Sequence, residues 1–275
     1  MTLPLADMLA LVAFLLFVGG AAGVLAGLLG VGGGIVIVPA LFAVFSALGH
    51  PPETLMHVCV ATSLATIVPT SLRSLAAHHR KGAVDWSVLK SWAPFMGAGA
   101  LLGVLAADRL KSASLMLIFG ALAFLVALWM ALGRASWRIG EAPPRGWKGA
   151  ALSAPMGFAS VLMGIGGGTF GVPALTLFGL PVHRAVATAA GFGLVIAVPA
   201  AAGFVLSGLA VENRPDFALG YVHLPAFAII VPMTVLFAPV GVKIAHSMDP
   251  RPLKLLFALF LAATALNMAR KAMGG

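Results

Sequence analysis

Two long stretches of the chain, Met8 to Pro52 and Gly149 to His183, contain no Lys, Arg, Asp or Glu. A bilayer core takes about 20 apolar residues per helix, so each stretch has room for more than one membrane-embedded segment. Only 9% of the 275 residues are charged and 61% are hydrophobic, against roughly 25% charged in soluble domains. An all-α integral membrane protein is expected. The first apolar stretch, from Ala6 to Leu29, lacks a basic leader and is followed by others throughout the chain, so it reads as a retained helix rather than a cleaved signal peptide.

The net charge of +9 is scattered over short loops, with no basic domain or interleaved aromatic platform. That pattern suits anchoring at a membrane face, not nucleic acid. Cys59 is the only cysteine, which excludes an intrachain disulfide and any multi-cysteine metal site. A small, buried packing role is expected for it.

Charges and prolines divide the chain into ten apolar segments, expected at 6–29, 34–48, 55–77, 86–107, 112–133, 148–164, 168–180, 184–207, 218–244 and 252–270. The second and seventh, about 15 and 13 residues, are too short for an ordinary crossing. Each begins just after a glycine cluster.

The clusters belong to an internal repeat. "GVLAGLLGVGGGIVIVPAL" (Gly23–Leu41) aligns without a gap on "GFASVLMGIGGGTFGVPAL" (Gly157–Leu175), 134 positions on. "HVCVATS" (His57–Ser63) aligns on "HRAVATA" (His183–Ala189), 126 on; Pro94, Gly103 and Phe119 align on Pro232, Gly241 and Phe257, 138 on. The changing offset reflects a longer loop around His50–Glu53 and an insertion around Ser207–Phe217. Two membrane repeats follow, residues 1–140 and 141–275, each of about five helical segments. Five is odd, so the repeats are expected to be inverted.

With the N-terminus outside, the inward loops hold Arg73, Arg80, Lys81, Arg134, Arg138, Arg145, Lys148, Arg184, Lys243, Arg251 and Lys254. The outward positions hold Arg109, Lys111, Arg214, Arg270 and Lys271, and the acidic loop "VENRPDF" (Val211–Phe217). The positive-inside rule favours this orientation, in a multi-pass protein of the cell inner membrane. Re-entrant short segments would leave eight crossings and weaken the comparison.

A helix ending near Leu29 and another starting near Gly34 leave unpaired backbone N–H groups at the new N-terminus. Within a membrane such breaks survive only inside protein or beside a polar cavity. Glycine leaves no side chain in the way, and consecutive N–H groups at the positive end of a helix dipole form an anion site. Transporters built from inverted repeats place paired broken helices around the substrate in this manner. Gly32, Gly33 and Gly34, with Gly166, Gly167 and Gly168, are therefore candidate substrate-binding residues. Gly19, Gly23 and Gly27, spaced by four, read instead as a helix-packing seam.

The two G-Φ-G-G-G-x-x-x-x-P-A-L blocks, each followed by an A-T-S/A-rich helix, resemble the TauE/SafE family of sulfite and sulfonate exporters. The resemblance covers nearly the whole chain and implies outward transport of small sulfur-containing oxyanions. Val161 stands where the first half has Gly27, and Ala189 where it has Ser63. These departures imply a second-half site tighter and less polar than the first.

Among polar residues, Thr62, Ser63 and Thr66 of "ATSLATIVPTSLRS", Thr188 (the repeat mate of Thr62) and Thr169 beside the second cluster are candidate ligand donors. Hydroxyls bind an oxyanion without carrying charge into the membrane, though they also bond to their own helix carbonyls or cap a helix. The repeat-related His57 and His183 are candidates for proton coupling, and Arg184 for steering substrate, against interfacial and snorkelling roles. "AAHHRKG" (Ala76–Gly82) reads as a basic loop, not a metal site, and Asn267 as interhelical glue. No metal or cofactor is expected. Every carboxylate lies in a loop or at a segment end, which argues against a buried acid relay or sodium cage.

The function these features suggest is secondary transport, in the export direction, of sulfite or an organosulfonate held at the paired helix N-termini. Another small anion such as a carboxylate, or a membrane scaffold or sensor, is the alternative. An enzyme is not expected, since no nucleophile–base pair or acid cluster is visible. No P-loop lysine follows either glycine cluster, so a gradient or partner must supply the energy. The sequence implies a small anion and the lipid bilayer as partners and sets no oligomeric state.

Overall fold

The computed structural model describes residues 4–133, 137–211, 215–245, 247 and 251–272. They form ten helices: α1 (Leu5–Leu29), α2 (Gly34–Ala47), α3 (Leu55–Arg80), α4 (Trp86–Arg109), α5 (Ser112–Leu132), α6 (Gly146–Met163), α7 (Gly168–Leu177), α8 (Val182–Gly208), α9 (Leu224–Ala245) and α10 (Arg251–Ala272). Six of them, α1, α3, α4, α5, α8 and α9, are long and apolar enough to cross a membrane. The protein is an all-α, multi-pass membrane protein. Arg134, Glu212, Asn213, Arg214 and Asp249 lie outside the described residues, as does the middle of the acidic loop.

One expected boundary moves. The run predicted to open a helix at 218 instead forms a two-stranded hairpin, β1 (Ala218–Leu219) and β2 (Val222–His223). Gly220 turns it at φ +57°. Tyr221 is buried, and its N–H donates to the Phe204 carbonyl of α8. α9 starts only after this turn.

Small residues decide which helices cross closely. A methyl added to Gly19 would stand 2.9 Å from the Ile230 carbonyl, and one on Gly23 2.6 Å from that of Thr234. One on Gly27 would run into the Ala238 carbonyl. The three glycines thus form a seam along which α1 and α9 lie parallel, backbone against backbone. In a second pairing across the halves, Gly99 and Gly103 of α4 meet Ala154 and Phe158 of α6 in the same way. Helices α3 and α8 pack against each other at the centre, and α5 against α10.

These contacts fix where each short helix goes. α1 starts at the same end of the bundle as α9, and α2 finishes there, with His50 beside His223 at a ring separation of 5.8 Å. α1 and α2 are therefore a re-entrant pair. α6 and α7 return to the opposite end, where the Ile139 N–H donates to Leu177 O and the Trp92 indole N–H to Pro144 O. At about 1.5 Å per residue, α2 and α7 are shorter than a bilayer core. Because each pair ends where it began, every other loop keeps the end that ten full crossings would assign it.

Candidate functional site at the helix tips

The two breaks meet tip to tip. The Gly166 N–H donates to Val31 O at 3.2 Å, and a methyl on Gly32 would stand 3.3 Å from Gly166 Cα. A methyl on Gly168 would strike the Gly30 carbonyl, and one on Gly34 the Gly164 carbonyl. All the residues from Leu29 to Gly34 and from Leu162 to Gly168 are buried.

Sequence identity between the tips hides a conformational difference. In the first, Gly30, Gly32 and Gly33 take φ of +68°, +73° and +78°, a region that favours glycine. In the second only Gly164 does, at +65°, while Gly167 sits at −66° in helical geometry. What requires glycine at 167 is contact, because a methyl there would collide with Phe192 Cβ.

The tips also differ in polarity, opposite to the expectation from Ser63 and Ala189. At the first tip the Ser63 hydroxyl is already committed, donating to Gly164 O at 2.7 Å. Ile67 covers Gly32, its Cγ2 standing 3.0 Å from the position of an added methyl. The repeat mate of Ile67 is Gly193, 126 positions on, and the Ser71 hydroxyl takes the place that a side chain there would have. A methyl on Gly193 would collide with the Ser71 hydroxyl and stand 3.8 Å from the Gly167 nitrogen. Both groups thus lie close together at the N-terminus of α7. The Ser71 hydroxyl and that of Thr169, in the first turn of α7, are buried without a hydrogen-bond partner. No backbone carbonyl accepts the Gly167 N–H among the described residues. These polar groups lie at the second tip, and the serine comes from the first half.

Sequence reasoning missed Ser71 and Gly193. A signal was present: Ser63, Ile67 and Ser71 are spaced by four, on one face of α3.

The other candidates lie elsewhere. The Thr62 hydroxyl accepts the His223 N–H at 2.9 Å, and that of Thr188 accepts the Asp85 N–H at 2.9 Å. Each threonine thereby anchors the chain entering α9 or α4 from the opposite half. Thr66 donates to the Ser63 carbonyl of its own helix at 2.7 Å. His57, buried, shares a hydrogen bond with Ala107 O at 3.0 Å and stacks on Tyr221. It stands about 9 Å along α3 from Ser63. His183 is exposed at the other end. Arg184 is ion-paired with Asp85 at 3.1 Å, so its charge is already balanced. At the hairpin end, burial lowers the His223 imidazole to about 4, with His50 adding to the effect. Burial lowers His50 as well, against the opposing pull of Asp216. No group of three potential metal-ligating side chains occurs among the described residues.

The family profile described as Sulfite exporter TauE/SafE matches residues 15–268, a span that holds both glycine tips. The chain belongs to the TauE/SafE family. It is similar to a probable membrane transporter protein of Haemophilus influenzae, 33% identical over 93% of this chain and 97% of that one. A probable membrane transporter protein of Methanocaldococcus jannaschii is 27% identical over 95% and 97%. No solved structure matches the chain.

Proposed function

We propose that this TauE/SafE protein is a secondary transporter that exports sulfite or a small organosulfonate, bound where the two re-entrant tips meet. The carrying observation is the set of donors gathered at the N-terminus of α7: the Gly167 N–H and the unpartnered hydroxyl of Ser71, with that of Thr169 in the first turn. Neutral donors and a helix dipole hold a dehydrated anion and still let it leave. Family membership supports the substrate class. Gly32–Gly34 and Gly166–Gly168 shape the junction. Thr62 and Thr188 are structural anchors rather than ligands.

Purified protein should gain about 2.7 kcal/mol of thermal stability from sulfite at a hundredfold excess over its dissociation constant. Sodium or ammonium with an inert anion should give little. Thr62→Val and Thr188→Val should each lower ligand-free stability by about 1 kcal/mol and leave the sulfite gain intact. Stabilisation that follows the cation, or acetate in preference to sulfite, defeats the assignment.

The halves, residues 1–140 and 141–275, are proposed to be inverted repeats. The support is the matched pairing of α1 with α9 and α4 with α6, and of α3 and α5 with their own repeat mates. The end carrying Arg80, Lys81, Arg138, Arg145, Lys148 and Arg184 is assigned to the cytoplasm of an inner membrane. A thiol at Ala142 should label from the cytoplasmic side of oriented vesicles; labelling only from outside would reverse the topology.

A further inference from the structure

The duplication places a cavity on the outer flank of each short helix. One, of about 320 Å³, lies between α7 and α5, and the other, of about 280 Å³, between α2 and α10. They are repeat mates. Pro39 lines the second where Pro173 lines the first, 134 positions on, and Thr264 and Asn267 stand where the first has Val126 and Trp129, 138 positions earlier. The same frame therefore carries two linings. The α5–α7 cavity is walled almost wholly by apolar side chains, while the α2–α10 cavity presents Thr264, Asn267 and Lys271 on one face of α10.

Two of those polar groups, Asn267 and Lys271, make no hydrogen bond or ion pair among the described residues. Asn267 is exposed and makes no hydrogen bond to another helix among the described residues. The Lys271 ammonium lies 5.2 Å from the centre of the Phe42 ring of α2, and no carboxylate pairs with it among the described residues. An amide and an ammonium on the flank of a membrane bundle, beside an apolar wall from Pro39 and Phe42, match a ligand with an anionic, acceptor-rich head and an apolar tail. We propose that the α2–α10 cavity binds the phosphate headgroup of an anionic phospholipid, with Lys271 and Asn267 on the phosphate oxygens and the acyl chains along α2. Bound there, the lipid braces the helix that carries the first glycine tip.

The test uses purified full-length protein in detergent, native mass spectrometry, and three probes: dioleoyl phosphatidylglycerol, dioleoyl phosphatidylcholine and glycerol 3-phosphate. Phosphatidylglycerol should be retained in preference to the other two. Lys271→Met should weaken that retention about fivefold, the equivalent of about 1 kcal/mol for one basic residue at an anionic surface. Asn267→Leu should also weaken it, and Lys271→Arg should preserve it. Both side chains are exposed, so the lipid-free melting temperature should hold in each variant and report folding separately. Equal retention of the two lipids, an equal response to glycerol 3-phosphate, or undiminished retention in Lys271→Met and Asn267→Leu overturns the proposal. Because sulfite stabilisation is measured independently, failure here leaves the tip site untouched.

Discussion

Gly193→Ala should weaken sulfite binding by tenfold or more while leaving the protein folded. The added methyl stands against Ser71 and close to the Gly167 nitrogen. It collides with the serine hydroxyl, which can rotate away, and stands 3.3 Å from Ser71 Cβ and 3.8 Å from the Gly167 nitrogen. A hydrogen bond to a charged ligand contributes about 1.5–3 kcal/mol, and about 1.4 kcal/mol is tenfold in affinity. Ser71→Ala should produce a loss of similar size. The double variant should lose little more than either single one, because both act on the same cluster of contacting groups. Calorimetric titration of the three variants decides it. Wild-type affinity in Gly193→Ala, with an unchanged melting temperature, would remove the ligand from this place. Valine at Gly33 or Gly167 is a less clean test, because a side chain there also meets the Ala22 carbonyl or Phe192.

Gly168→Ala should instead cost folding stability, by about 1–3 kcal/mol or more. Its methyl would run into the Gly30 carbonyl, and backbone cannot rotate out of the way. The two tips must separate to admit it. Gly23→Ala falls in the same class, since its methyl meets the Thr234 carbonyl and Cα; it is not the mild packing change that a lone small-residue motif suggests. Gly20→Ala is the control. The nearest atom to its methyl is Met233 Cε at 3.7 Å, so helix propensity should make the change neutral or stabilising by up to about 1 kcal/mol. Thermal unfolding of the three variants in one detergent checks the order. Equal stability of Gly168→Ala and Gly20→Ala would mean that the tips are not in contact.

Much of this architecture is legible in the sequence, for identifiable reasons. Charge-free runs and prolines mark the ten helices, and consecutive glycines mark the breaks because nothing else in an apolar run accounts for them. The β1–β2 hairpin is not legible: "ALGYVHL" has the composition of a helix start, and only the positive φ of Gly220 and the docking of Tyr221 on α8 reveal the turn. Nor are the partners of Thr62 and Thr188, which come from the opposite half and leave no local pattern. The surroundings of the tips are not legible for the same reason. Comparing Ser63 with Ala189 assumes that each tip is served by its own half, whereas the unpartnered serine at the α7 tip comes from α3.

The decisive measurement is flux of radiolabelled sulfite into proteoliposomes containing the purified chain. Wild-type vesicles should take up label saturably, with competition from a short sulfonate. At sulfite concentrations well below wild-type half-saturation, vesicles containing Gly193→Ala should take up about a tenth of the wild-type label or less. Flux that persists unchanged in Gly193→Ala, or that is indifferent to anions and follows the cation gradient alone, would contradict anion transport through the meeting point of the two helix tips.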